Sequence, residues 1–429
     1  MNITRTYADA ALTIARKICR DAIWDGERCN WIASASEGIK TYFRSLSPEF
    51  YAGTAGIAYF LGAAYHQEED PVIRRTAYGA IRQALSASAR IPQNALGSFY
   101  TGLIGLIYTL AQLSRWLADP GLLDLAVQMT REYAQKHRDG ETAGIDVIDG
   151  AAGAIPVLLE LYEKENEPIF LELATNMGHH LHSQKVSEAH GSSWKTLDHQ
   201  APNLTGFAHG AAGISHALLL LFKSTGQEQF RIVAEEAIRY ENAHFDPIAQ
   251  NWPDFRESRI DSAGARSHPC AVAWCHGAPG IGLARLSAYT ITNNPAYLDD
   301  VKKAIDTTLR HLTLNQLGNF SLCHGLFGNA ELLLEASLLP READPVWMEA
   351  VEKITRLAIA EYLDEDLPLP NGVHTPYDNP ELMTGVAGMG YFLLRLHDPV
   401  SFPSILLFRP QALHGVGSRR PDGMIAHCR

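Results

Sequence analysis

Seven copies of a Gly-x-x-Gly unit run through this chain and constrain its fold more than any other feature. They are YAGTAG (51–56), YTGLIG (100–105), IDGAAG (148–153), AHGAAG (208–213), CHGAPG (275–280), CHGLFG (323–328) and MTGVAG (383–388). Successive first glycines are 49, 48, 60, 67, 48 and 60 residues apart. A repeat of this length is one supersecondary unit, which cannot bury its own apolar face and needs neighbours. After each copy comes an apolar stretch, for example ISHALLLLF, IGLARLSAY and NAELLLEAS. Before most copies the pattern is amphipathic. In 297–312, Leu298, Val301, Ile305, Leu309 and Leu312 return at three- and four-residue steps, while Asp299, Asp300, Lys302 and Lys303 fall elsewhere on the wheel. That is one buried stripe and one wet face. Segments 72–89, 120–136, 227–242 and 345–363 read the same way.

Each repeat is therefore an outer amphipathic helix, a connection, a glycine loop and an inner apolar helix. Seven repeats predict an all-α fold of about fourteen helices, with only short β pieces in the long connections. A closed ring of inner helices inside outer ones buries both classes, although an open superhelix would share the periodicity. The glycines suit a tight turn at a helix start and close packing between inner helices. The least regular connections, 184–208 and 245–274, are polar and punctuated by Gly, Ser and Pro. They flank the motif loops and are candidates for a substrate-contacting rim. Neither is long enough for a separate globular domain, so residues 1–410 read as one domain and 411–429 as a poorly ordered tail.

The bulk properties exclude several classes. No run of eighteen apolar residues is present, so no stable membrane insertion is expected. The N-terminal MNITRTYADAALTIARKICRD has helical spacing and lacks the apolar centre of a signal peptide; a cytoplasmic protein is expected. A net charge of −12 argues against a nucleic-acid partner. Six cysteines in 429 residues are no disulfide framework. Cys19 and Cys29 read as buried, inert thiols. Cys270 lies near a motif, and Cys428 has no partner pattern.

Equivalent loops of a ring lie at one end, so residues can be compared by register. Just before the first glycine stand Ala52, Thr101, Asp149, His209, His276, His324 and Thr384; one place earlier stand Tyr51, Tyr100, Ile148, Ala208, Cys275, Cys323 and Met383. Chemically capable side chains concentrate in the third to sixth copies. Cys275 and Cys323 are thiolates of the kind zinc prefers, and His276 or His324 could add nitrogen. One imidazole would make a Cys2His site with an open position; two would make a closed Cys2His2 site. His209 has no neighbouring cysteine, which suits an acid or base beside a metal. Asp146 could orient its ring, as carboxylates do in catalytic triads, and Asp149 is the rival. His179, His180 and His182 read as the surface of an outer helix, and His374 as a residue of the loop before the seventh copy.

The blocks DVIDGAAG, LTGFAHGAAGI, AWCHGAPGIGLARL, SLCHGLFGNAELLLEA and PELMTGVAGMGYFLLRL resemble the lanthionine synthetase C-like (LanC) family of thioether-forming cyclases, from about Leu46 to Pro410. The CHG wording and the early CNWI are closest to the cyclase domain of class II lanthipeptide synthetases. The dehydratase half that precedes that domain is not in this sequence. The resemblance implies an α/α toroid of seven helical pairs holding one zinc ion through Cys275, Cys323 and His324. It also implies that His209 and Asp146 form the acid/base pair. The substrate it implies is a dehydrated precursor peptide, made by a separate dehydratase, whose cysteines add to dehydroalanine or dehydrobutyrine. No GxxxxGK[ST] loop is present, so the chain is expected not to dehydrate serine or threonine. Where many stand-alone cyclases of the family have an arginine and a tyrosine, this chain has Ala271 and His276; Arg256 or Arg266 is the candidate replacement for the arginine. Addition of a free thiol such as glutathione, and a zinc-stabilised peptide-binding ring without chemistry, are the alternatives.

Overall fold

The computed structural model describes residues 5–37, 40–137, 144–197, 202–260, 266–314, 318–339, 342–373 and 375–408. His374, Cys428 and the tail 411–429 lie outside the described residues. The α-helices are α1 (Tyr7–Arg20), α2 (Thr54–Gln67), α3 (Pro71–Ala87), α4 (Leu103–Trp116), α5 (Pro120–Lys136), α6 (Ala151–Glu165) and α7 (Pro168–Ser183), followed by α8 (Ala211–Thr225), α9 (Glu228–Ala243), α10 (Ala278–Thr292), α11 (Pro295–Leu314), α12 (Leu326–Ser337), α13 (Pro345–Ala358) and α14 (Val386–His397). Among the described residues, four two-stranded antiparallel sheets occupy the connections.

The even-numbered helices are the inner ring. Their first eleven residues or so are buried almost without exception, as uniformly apolar sequence requires. The outer helices bury one stripe each; α11 buries Val301, Ala304, Ile305 and Leu312. Several begin with Pro at the first helical position, which needs no hydrogen bond there. Ahead of it Asp70, Asp119 and Asp344 cap the amides of Val72, Gly121 and Val346 at 2.8, 3.2 and 3.0 Å.

The tight hairpin joins an inner helix to the outer helix after it, because only a few residues separate them, as between Gln67 and Pro71. The last inner helix, α14, has no outer helix after it among the described residues and packs on α1 from the other end of the chain. The inner helices pack in sequence from α2 to α14, and α14 returns onto α2. The ring is closed, which excludes the open superhelix.

The glycine loops form a second, smaller ring of hydrogen bonds, each accepted by a backbone carbonyl and all but one donated by a backbone amide. Tyr51 N donates to Tyr100 O (2.8 Å), Thr101 Oγ1 to Ile148 O (3.2 Å), Val147 N to Ala208 O (3.0 Å) and Ala208 N to Cys275 O (3.1 Å). Cys275 N donates to Cys323 O (3.3 Å), Cys323 N to Met383 O (2.9 Å) and Met383 N to Tyr51 O (2.9 Å). This girdle holds the residue before each first glycine on one rim. The second glycine of every copy is required by close approach: a Cβ there would overlap the carbonyl oxygen of the residue six positions earlier. Inside the inner ring lies the segment 402–408. Tyr100 of the second loop donates to Ile405 O (2.7 Å) and Trp274 of the fifth to Leu406 O (3.1 Å). Phe99 and Tyr108 pack edge-on against Phe408. Among the described residues, no helix is long and apolar enough to cross a membrane.

Candidate metal and proton-transfer site

Two neighbouring loops of the girdle bring Cys275, Cys323 and His324 together. One sulfur from each cysteine and one imidazole nitrogen lie within 4.8 Å of one another. Cys323 is buried and Cys275 partly so. The Cys275 thiol donates to Cys323 and is held far above the ordinary thiol range by that bond and by burial. The same bond holds Cys323 below that range; burial opposes it, while the Tyr51 hydroxyl and the Arg256 charge add to it. Tyr51 stands at the same register in the first loop as the two cysteines do in theirs. That register was the signal that could have marked it in the sequence.

His324 Nε2 donates to the carbonyl of Gly372 at 2.9 Å, which leaves Nδ1 for the cysteines. A ligating imidazole needs such an anchor on its far nitrogen. Gly372 has to be small, because a Cβ would come within 2.9 Å of His324 Nε2. Nothing in the sequence pointed to Gly372. Two thiols, one of them biased toward thiolate, and an anchored imidazole are a donor set that fits zinc.

His276 does not join this cluster, although its motif copies that of His324. The residue is 1% exposed, and neither ring nitrogen has a hydrogen-bond partner among the described residues. Its nearest charged neighbour is Asp254, with Oδ1 3.9 Å from Nδ1. Burial drives its pKa down to about 3, so it is neutral. Cys270 is outside the cluster too; burial pushes its thiol up to about 11. Cys19 and Cys29 are buried, with thiols raised to about 11 and about 12 by the same cause.

His209 follows on the rim, its ring centroid 5.8 Å from that of His276. Its Nδ1 lies 2.6 Å from Asp146 Oδ2. Burial alone would depress this imidazole, but the hydrogen bond and charge of Asp146 outweigh it, and the net shift is upward. Asp146 is buried, and its Oδ1 accepts from Asp149 N at 2.7 Å. Asp149, the rival carboxylate, is exposed and accepts from Thr101 Oγ1 at 2.7 Å. Two contacts fix the His209 loop: Thr196 Oγ1 donates to His209 O (2.6 Å), and Gly206 N donates to the buried Glu241 (2.9 Å). His179 is exposed, and His180 and His182 are half-buried, all on the outer helix α7.

The two irregular connections wall the site. Lys195, Thr196 and Leu197 of the first line a cavity of about 580 Å³ together with Asp146, Asp149, His209, Gln93 and Asn94. From the second comes Arg256, whose charge acts on both cysteines and on His209. The Arg266 side chain lies outside the described residues.

A closed α/α toroid with a thiol–imidazole cluster and a histidine–carboxylate pair on one rim defines a narrow class of protein. The family model described as lanthionine synthetase C-like protein matches residues 44–407, and the chain belongs to that family. The lacticin 481/lactococcin biosynthesis protein LcnDR2 of Lactococcus lactis subsp. lactis is 24% identical over 385 residues, covering 85% of this chain and 38% of the relative. Glutathione S-transferase LANCL1 of Danio rerio is 23% identical over 194 residues, 45% of this chain and 43% of the relative. The chain thus spans less than half the length of either. The solved structure of nisin cyclase superposes with a TM-score of 0.63 at 18% identity, covering 84% of this chain and 92% of that one; this likeness shows the fold.

Proposed function

We propose that this chain is a zinc-dependent lanthipeptide cyclase, which adds peptide cysteine thiols to dehydroalanine or dehydrobutyrine and so closes thioether rings. One observation carries the reading: the Cys275, Cys323 and His324 cluster shares a rim with the His209–Asp146 pair. The names of LcnDR2 and nisin cyclase support it. Cys275, Cys323 and His324 would hold the zinc, which when bound supplies a thiolate nucleophile at neutral pH.

The chain's own residues handle the rest. The cavity beside His209 takes the segment carrying the alkene. As sulfur bonds to Cβ, the alkene electron pair moves toward the carbonyl and an enolate forms. Asp146 holds His209 through Nδ1 and favours the protonated ring, so Nε2–H is the proton delivered to Cα. Solvent returns a proton to His209, and the net change is addition of S–H across C=C. A separate dehydratase supplies the alkene. Because thiol and alkene belong to one peptide, ring closure is intramolecular and gains from effective concentration.

The test is to incubate the zinc-loaded chain with a dehydrated peptide carrying a cysteine, then alkylate free thiols. The expected product has an unchanged mass and no alkylated cysteine. If thiols persist and glutathione, when supplied, adds its mass, the chain is instead a free-thiol transferase, the reading that the name of LANCL1 favours.

A further inference from the structure

We propose that Arg256 is a catalytic residue that donates hydrogen bonds to the substrate's amide oxygen as that oxygen becomes an enolate, with Asp254 as its positioning residue. This rests on the cyclase reading above.

Addition to an α,β-unsaturated amide needs two partners besides the thiolate. One protonates Cα; the other holds the oxygen that takes up charge. When the sulfur–Cβ bond forms, the alkene π pair becomes a Cα–C bond, and the carbonyl π pair moves onto oxygen. Transfer of the His209 proton to Cα restores the carbonyl. The oxygen therefore lies two bonds from the atom His209 protonates and three from the atom sulfur attacks. Its donor must stand between the thiol cluster and His209.

Arg256 fits that place. Asp254, the carboxylate it pairs with, has Oδ1 3.9 Å from His276 Nδ1, and the His276 ring follows Cys275 in the chain and lies 5.8 Å from the His209 ring. One edge of the guanidinium is committed: Nε donates to Asp254 Oδ1 at 3.0 Å and Nη2 to Oδ2 at 2.7 Å. Nη1 makes no hydrogen bond among the described residues, and the side chain is 39% exposed. Asp254 is itself held, since its amide donates to Pro269 O at 2.8 Å and it is 6% exposed. The carbonyl before it, Pro253 O, accepts from Thr205 Oγ1 at 2.7 Å, which ties the arm to the loop carrying His209. A guanidinium stays charged and presents donors on a rigid fork. With one edge pinned, the other is a preorganised donor, the arrangement that favours developing charge most. The paired Asp254 offsets the net charge of Arg256, so the contribution comes from aimed N–H groups rather than bulk field.

The test compares Arg256→Ala, Arg256→Lys and Asp254→Asn with the wild-type chain, and adds Arg239→Ala, an exposed arginine of α9, as the control. Four quantities are read: zinc content, kcat and KM for closing a ring on a dehydrated peptide, and Kd for the same peptide with alanine replacing the dehydro residue. Loss of one oxyanion donor lowers kcat about 10²- to 10³-fold, and that is the expectation for Arg256→Ala. KM, zinc content and Kd for the saturated peptide should stay within about threefold, because no charge develops there. Arg256→Lys should recover part of kcat, Asp254→Asn should fall between, and Arg239→Ala should match wild type. An Arg256→Ala chain whose kcat stays within about threefold of wild type overturns the inference alone. So does one that loses zinc or saturated-peptide affinity, since the arginine would then be structural. A wild-type chain that closes no ring overturns the cyclase reading and this inference with it.

Discussion

The fifth and sixth loops, CHGAPG and CHGLFG, are nearly the same sequence, yet their histidines end in opposite surroundings. His324 is anchored on Gly372 O and faces the two sulfurs. His276 is buried with both nitrogens unpartnered among the described residues, between Asp254 and His209. The backbone differs at the next residue: Gly277 has φ +90°, whereas Gly325 has φ −112°. The other five first glycines lie between −116° and −149°. The repeat thus fixes where a residue stands on the rim but not where its side chain points. A local backbone choice and an anchor from outside the repeat, here Gly372, decide that.

The largest effect should come from the shared feature of the two loops. Cys275→Ala and Cys323→Ala should each lose nearly all zinc, by metal analysis, and nearly all ring closure. Full zinc occupancy in either would dissolve the equivalence of the loops.

Next comes the imidazole one loop further on. His209→Ala should keep its zinc and slow cyclisation about 10²- to 10⁴-fold, the range for losing a positioned acid. Asp146→Asn should do less. Normal rates and normal ring positions in His209→Ala would remove it from the mechanism. The pair also sets a pH dependence. The folded-state pKa of His209 is raised, so the protonated donor persists above the ordinary imidazole value of about 6.5, and activity should fall only above it. Without Asp146, burial dominates and the alkaline limb of kcat should move down. For stability the sign is the same. The stabilisation is complete below the unfolded-state pKa and is lost as pH rises through the folded one.

Gly277→Ala tests the backbone difference itself. A residue with a Cβ is strained at φ +90° and would overlap Ala271 O, so urea unfolding should show a loss of about 1–3 kcal/mol. An unchanged midpoint would mean that the left-handed turn is optional. Smallest of all, Asp149→Asn should cyclise near the wild-type rate, since Asp149 holds Thr101 and not His209.

Much of this was legible in the sequence, and the limits have physical causes. Period and apolar stripes gave the helical pairs, because burial of a 3.6-residue pattern is a local property. Ring closure was a choice between two packings of one pattern. What settles it is non-local: α14 returns onto α2, and α1 covers α14 from the far end of the chain. Segment 402–408 has no repeat to mark it, so its place inside the ring could not be read from periodicity. Register placed Cys275, Cys323 and His209 on one rim. It left the two Cys-His histidines open, and the family resemblance favoured His324 for a reason, Gly372, that no spacing displays. Asp254 escaped notice because its role lies in pinning Arg256 from an irregular connection.

Zinc stoichiometry of purified His324→Ala and His276→Ala, checked for helical content by circular dichroism, tests the central claim most directly. Two look-alike loops are held to supply one imidazole ligand between them. His324→Ala should lose most of its zinc, and His276→Ala should keep about one ion per chain. Retention in His324→Ala with loss in His276→Ala, or loss in both, would contradict the account.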